Sequence, residues 1–203
     1  MMELDNYKKN VYSQNGEDGV LEEIFKRLGI SIGQCCEFGA WDGKHLSNTW
    51  RLLELGWEGC LIEGDKEKVK DLESNTKSHG VKTWNIGEFV DPHFGDKFCL
   101  DNLLESTDIK KDFDLLSIDV DGPDYWIWKS LTNYRPKVVV IECSGNYEED
   151  IIFRFGAVHK RDKDGSTAFK PLVKLGEDKG YTLVCDTGNL IFVDNTYSGK
   201  VLK

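Results

Sequence analysis

The chain of 203 residues carries 26 basic against 36 acidic side chains, a formal net charge of -10, and binding to nucleic acid rests on neutralising phosphates, so a broad nucleic-acid surface is excluded and only a local basic patch is left open. With 39% hydrophobic and 31% charged residues, the length fits one globular domain over residues 1–203, which can bury roughly 70% of its unfolded surface without covalent staples. No run approaches the ~20 apolar residues of a membrane span and residues 1–6 lack the apolar core of a signal peptide, so a cytoplasmic protein is expected.

Residues 17–29 predict a helix with Val20, Leu21, Ile24, Phe25 and Leu28 on one face, within an N-terminal helical segment over 1–30. A buried strand at 35–38 follows, then a helix at 47–56 with Ser47 or Asn48 placed to cap it. Next come a strand at 59–62, a charged helix at 66–79 and a strand at 81–86. A helix near 97–105, a strand at 113–118, a helix at 124–132 and a strand at 137–141 continue the alternation. A helix at 166–179 stops at Gly180. Strands at 181–185 and 190–193 flank a short turn and predict an antiparallel hairpin. The fold class is therefore α/β: a single doubly wound, Rossmann-like domain whose mostly parallel sheet ends in a C-terminal antiparallel hairpin. The six cysteines, Cys35, Cys36, Cys60, Cys99, Cys143 and Cys185, form no CxxC pair and have no His at zinc-ligand spacing. Buried, reduced thiols are expected.

In such sheets the ligand lies outside the carboxyl ends of the strands, where strand order reverses. The first strand runs into Glu37-Phe38-Gly39-Ala40-Trp41-Asp42-Gly43. Gly39 and Gly43 allow a tight turn and close approach to a ligand. A dinucleotide loop would place a glycine where Trp41 stands, and a pyrophosphate would be repelled by Glu37. A carboxylate there suits a cationic group. Glu63 ends the second strand, 26 positions after Glu37, near the spacing of ~20 expected for an acid that binds ribose hydroxyls. Asp65 is placed to cap the next helix.

Four segments carry a resemblance to a known family. They are Ser13-Gln14-Asn15-Gly16-Glu17-Asp18-Gly19, the 37–49 stretch ending in Ser47-Asn48-Thr49, the 61–65 stretch with Glu63-Gly64-Asp65, and Ser117-Ile118-Asp119-Val120-Asp121-Gly122 leading to Asp124-Tyr125. With Val138 to Glu142 also matching, the chain resembles the FkbM-like branch of the S-adenosylmethionine-dependent methyltransferases. That resemblance implies S-adenosyl-L-methionine as cofactor and O-methylation of a small polar acceptor, a sugar or phosphorylated metabolite, in surface-polysaccharide or secondary metabolism. It implies that Glu37, Gly39 and Glu63 hold the cofactor with Asp119 near its methyl end. Gln14, Trp41, Asp42, Asn48 and Gly64 are the further expected cofactor contacts.

Asp119 and Asp121 flank Val120 just after the fourth strand, and Glu142 ends the neighbouring fifth. Crowded carboxylates raise one another's pKa, so Asp119 or Asp121 can serve as a general base near neutral pH. The same acids, Asp119, Asp121 and Glu142, are the ligands if a Mg ion is used instead. Asp124 is as well suited to capping its own helix. Residues 144–165 are long for a connection and are expected to form an acceptor-side loop. They carry Tyr147, Arg154, Lys160 and Arg161, together with His159 as another candidate base. For Ser13 to Asp18, helix capping and a contact from Gln14 and Glu17 to cofactor or acceptor both stand open. Two other functions compete: a non-catalytic cofactor-binding module, and an NAD-dependent oxidoreductase that Trp41 disfavours. A homodimer is compatible with everything above.

Overall fold

The computed structural model describes residues 2–88, 99–145, 147–148, 150–152 and 166–202. After a short 3-10 helix (Glu3–Tyr7), the elements are α1 (Glu17–Leu28), β1 (Gln34–Phe38), α2 (Trp50–Glu54), β2 (Glu58–Ile62), α3 (Lys66–His79) and β3 (Lys82–Ile86). They continue as α4 (Leu100–Glu105), β4 (Leu115–Ile118), α5 (Asp124–Ser130), β5 (Val138–Glu142), α6 (Phe169–Asp178), β6 (Tyr181–Asp186), β7 (Asn189–Asp194) and α7 (Asn195–Val201).

The seven strands form one sheet in the order β3-β2-β1-β4-β5-β7-β6. Pairings from β3 across to β5 are parallel, and β7 runs antiparallel to both β5 and β6. Strand order reverses between β1 and β4, which opens a crevice at their carboxyl ends. The expected fold class is what the chain adopts.

Period-2 alternation divides the core. Cys36, Leu116, Val139, Ile141 and Phe192 face one layer, where Leu104, Trp128 and Leu172 of α4, α5 and α6 cover them. Cys35, Leu115, Val138, Val140 and Ile191 face the other, under Leu21 and Ile24 of α1, Leu53 of α2 and Val201 of α7. Both faces of β5 are buried, which is why its sequence is an unbroken apolar run. All six cysteines are free, five of them buried.

Helix ends follow local chemistry. Asp65 caps α3 by accepting the N–H groups of Glu67 and Lys68, and α1 and α3 stop at left-handed Gly29 and Gly80. Pro171 lies in the first turn of α6, the part of a helix that has no need of its missing N–H. The helix therefore starts at Phe169, later than the sequence pattern predicts. Among the described residues, no helix is long and apolar enough to cross a membrane.

Candidate functional site

A cleft of about 640 Å³ opens at the switch point between β1 and β4. Gly39 shapes its floor. Its backbone is left-handed at φ 71°, and a Cβ there would stand 1.8 Å from the Asp119 carbonyl oxygen. Only glycine lets the β1 turn pass so close to the end of β4. Three non-glycine residues also hold positive φ, namely Trp41 at 50°, Leu46 at 56° and Asp121 at 54°, and all three line the cleft. Strain of this kind, on the order of 1–3 kcal/mol each, gathers where geometry serves a site.

On the β1–β2 side, Glu63 is buried and accepts the N–H of Trp41 at 2.8 Å and of Asp65 at 2.7 Å, one on each carboxylate oxygen. Each oxygen keeps a lone pair for a ligand hydroxyl. Trp41 itself is 45% exposed, with the Lys68 ammonium 4.6 Å from its ring centre. Gly39 and Gly64 complete this wall.

Toward β5, the carboxylates of Asp119, Asp121 and Glu142 come within 4.8 Å of one another. β4 ends at Ile118, so the two aspartates converge through the turn rather than by strand alternation. Asp124 builds that turn: its carboxylate accepts the N–H groups of Val120 at 3.0 Å and Gly122 at 2.9 Å. Burial pushes the Asp124 carboxyl upward against those two hydrogen bonds. Burial, then the charges of Asp124 and Asp121, push Asp119 up to about 7. Burial and the Asp119 charge push Glu142 up to about 8, and its Oε2 is buried with no hydrogen-bond partner. At neutral pH, Glu142 is thus mostly a neutral acid beside a half-ionised Asp119, a split that lets one donate and the other accept a proton. The three acids also have the donor chemistry for a hard divalent cation.

Several expected contacts lie elsewhere. Glu37 does not line the cleft. Alternation puts it on the face covered by α1 and α2, where its carboxylate accepts hydrogen bonds from Ser47 Oγ (2.6 Å), the Asn48 N–H (2.7 Å) and Thr49 Oγ1 (2.5 Å). Burial raises its pKa, partly offset by these donors. Glu37 therefore supports the loop before α2, with its carboxylate directed to that loop rather than to the cleft lining. Asn48 is likewise buried away from the cleft, donating to Ser117 Oγ at 3.0 Å. Asp42 closes a turn by accepting the N–H groups of Lys44 and His45. Gln14, Gly39, Trp41, Glu63, Gly64, Asp119 and Asp121 do line the cleft. Glu17 is fully buried and is not part of the lining. His159, with Arg154, Lys160 and Arg161, lies outside the described residues. Tyr147 binds Asp186 at 2.7 Å. Sequence reasoning missed Asn15, Leu46, Glu88, Gly188 and Asn189 in the lining. Of these, Asn15 and Leu46 fell within segments already singled out for the family resemblance.

The lining is acidic. Among the described residues no Lys or Arg lines the cleft, so a pyrophosphate would meet the five carboxylates of Glu63, Glu88, Asp119, Asp121 and Glu142 without a lining ammonium or guanidinium to offset them. A cationic ligand with a diol meets what it needs in Asp119 and Glu63.

No family model matches the chain, and no curated protein sequence matches it. Solved structures do. An S-adenosylmethionine-dependent methyltransferase from Clostridium acetobutylicum aligns at TM-score 0.52 and 12% identity, over 87% of this chain and 88% of that one. TehB from Haemophilus influenzae aligns at 0.53 and 10% identity, over 85% of this chain and 61% of its own. This chain has the fold of the S-adenosylmethionine-dependent methyltransferases. Monomeric WbdD aligns at 0.50 and 14% identity, with 86% of this chain on 38% of that one. At such identities the likeness establishes architecture, and the site must carry the chemistry.

Proposed function

We propose that the protein is an S-adenosylmethionine-dependent methyltransferase that methylates a hydroxyl of a small polar acceptor such as a sugar, along FkbM-like lines. The observation that carries this reading is the pairing of Glu63, with lone pairs open to a ribose diol, with an acidic wall at Asp119 that holds no Lys or Arg among the described residues, in a cleft whose floor only Gly39 permits. When bound, S-adenosylmethionine supplies an electrophilic methyl group on a good leaving group. Glu63 and Gly64 hold and orient, a service that can contribute several kcal/mol to a displacement. Asp119, placed near pH 7, takes the proton that an alcohol loses as it attacks, worth roughly 10²–10⁴ in rate. Glu142 keeps its own proton at neutral pH and donates to a second acceptor oxygen. A Mg ion on Asp119, Asp121 and Glu142 is the variant of this mechanism that a chelator tests. The described acids repel a phosphate, so we favour a neutral acceptor over a phosphorylated one.

The test is release of S-adenosylhomocysteine in the presence of methyl glycosides and free sugars, with the mass gain located on the product. Asp119→Asn at saturating donor is expected to lower kcat by at least about 10²-fold. Transfer to carbon, or an unchanged rate in Asp119→Asn, contradicts the reading.

A further inference from the structure

The N-terminal segment ahead of α1 is tied to the far end of the chain by one buried carboxylate. Glu17 is fully buried. Its Oε2 accepts the Asn15 N–H at 2.8 Å, and its Oε1 accepts the Thr187 hydroxyl at 2.7 Å and Asn189 Nδ2 at 3.4 Å. No Lys or Arg pairs with it among the described residues. Burying an unpaired carboxylate is costly, and here the three donors of Asn15, Thr187 and Asn189 offset that cost on both oxygens.

Its partners explain the carboxylate. Asn15 and Asn189 line the cleft, and Thr187 precedes Gly188, which lines it too. The Asn15 amide nitrogen lies 3.2 Å from where a Gly188 Cβ would stand, so the two segments meet at the wall. Asn189 is the register partner of Glu142 on β5. The segment is itself clasped shut. Asp18 accepts the N–H groups of Val11, Tyr12 and Ser13 at 2.7–2.8 Å, and Ser13 Oγ accepts the Asp18 N–H. Lys8 adds a second tether to the Asp186 carbonyl at 2.7 Å. In the sheet order, β7 lies on the opposite side of β1 from β2, where Glu63 stands. The segment therefore walls the half of the cleft away from Glu63.

We propose that Glu17 is a positioning residue of the acceptor half of the cleft: by locking residues 12–16 onto the β6–β7 turn, it fixes Asn189 beside Glu142 and holds Gln14 at the mouth. The proposal rests on the methyl-donor reading above.

The experiment uses the full chain and S-adenosylmethionine labelled with ¹³C at the transferred methyl, for the wild type, Glu17→Gln, Glu17→Ala and Thr187→Val. Donor affinity, the thermal midpoint and the ¹³C resonance of the bound methyl are read together. Glu17→Ala and Thr187→Val are expected to bind the donor within about threefold of the wild type while moving the methyl resonance by more than its linewidth. Glu17→Gln, which keeps an oxygen for Thr187 and Asn189, should move it less. Should Glu17→Ala fail to fold, Thr187→Val carries the test. A resonance unmoved in the folded variants overturns the proposal, as does an affinity loss above about tenfold, which would put the segment on the donor half. A folded wild type that binds no donor instead refutes the methyltransferase reading itself.

Discussion

Replacing Asp119 with Asn should make the ligand-free protein more stable. The Asp119 carboxyl rises from an ordinary 3.8 to about 7 on folding, chiefly through burial. Between those values the folded chain holds a proton that the unfolded chain has released, so stability falls as pH climbs through the interval and stays reduced above about 7. One pH unit of displacement corresponds to about 1.4 kcal/mol, which sets a ceiling near 4 kcal/mol for the penalty at pH 8. The carboxylate keeps contact with water in an open cleft, and about half that figure is expected. Asn carries no charge and escapes the penalty. Urea unfolding of ligand-free wild type and Asp119→Asn, followed by tryptophan fluorescence between pH 5.5 and 8.5, measures the gap. The variant should gain about 2 kcal/mol at pH 8, roughly 4–8 °C in melting midpoint, with a smaller gain at pH 5.5. A gap that is zero at pH 8, or that shrinks as pH rises, refutes the reasoning.

Gly39→Ala must force the β1 turn off the Asp119 carbonyl against a left-handed backbone, so a loss above about 3 kcal/mol or outright misfolding is expected by thermal melt. Glu63→Ala removes a charged acceptor of two hydrogen bonds worth roughly 1.5–3 kcal/mol each, so donor affinity measured by calorimetry should fall at least about tenfold. Because Asp119 and Glu142 ionise near 7 and 8, affinity for the cationic donor should rise from pH 6 to 8.5. Affinity for neutral S-adenosylhomocysteine should rise less, and equal slopes in parallel titrations would contradict this.

Much of the fold could be read from periodicity. The unbroken apolar run of β5 and the turn between β6 and β7 each carry a local signal, and α3 matches its expected bounds. Helix α2 is shorter than its pattern because the Ser47 and Thr49 hydroxyls and the Asn48 N–H are committed to Glu37. Helix α7 had no apolar periodicity to announce it and depends on the cap that Asp194 gives to Thr196. At the site, Gly39, Glu63 and the two aspartates were legible because each follows a strand end. Glu37 instead lies inside β1, where it shares a face with Cys35, and that alternation was the available clue to its burial. The tie from Glu17 to Thr187 and Asn189 spans about 170 positions, a contact on which local pattern is silent. The same holds for Leu46, whose role depends on a backbone angle.

The most direct test of the central claim is calorimetric titration of the folded protein with S-adenosylhomocysteine and, separately, with NAD. A single saturable site for the first, weakened by Glu63→Ala, and no heat from the second is the expected pair of results. Absence of any uptake of S-adenosylhomocysteine, or preference for the dinucleotide, would contradict the account.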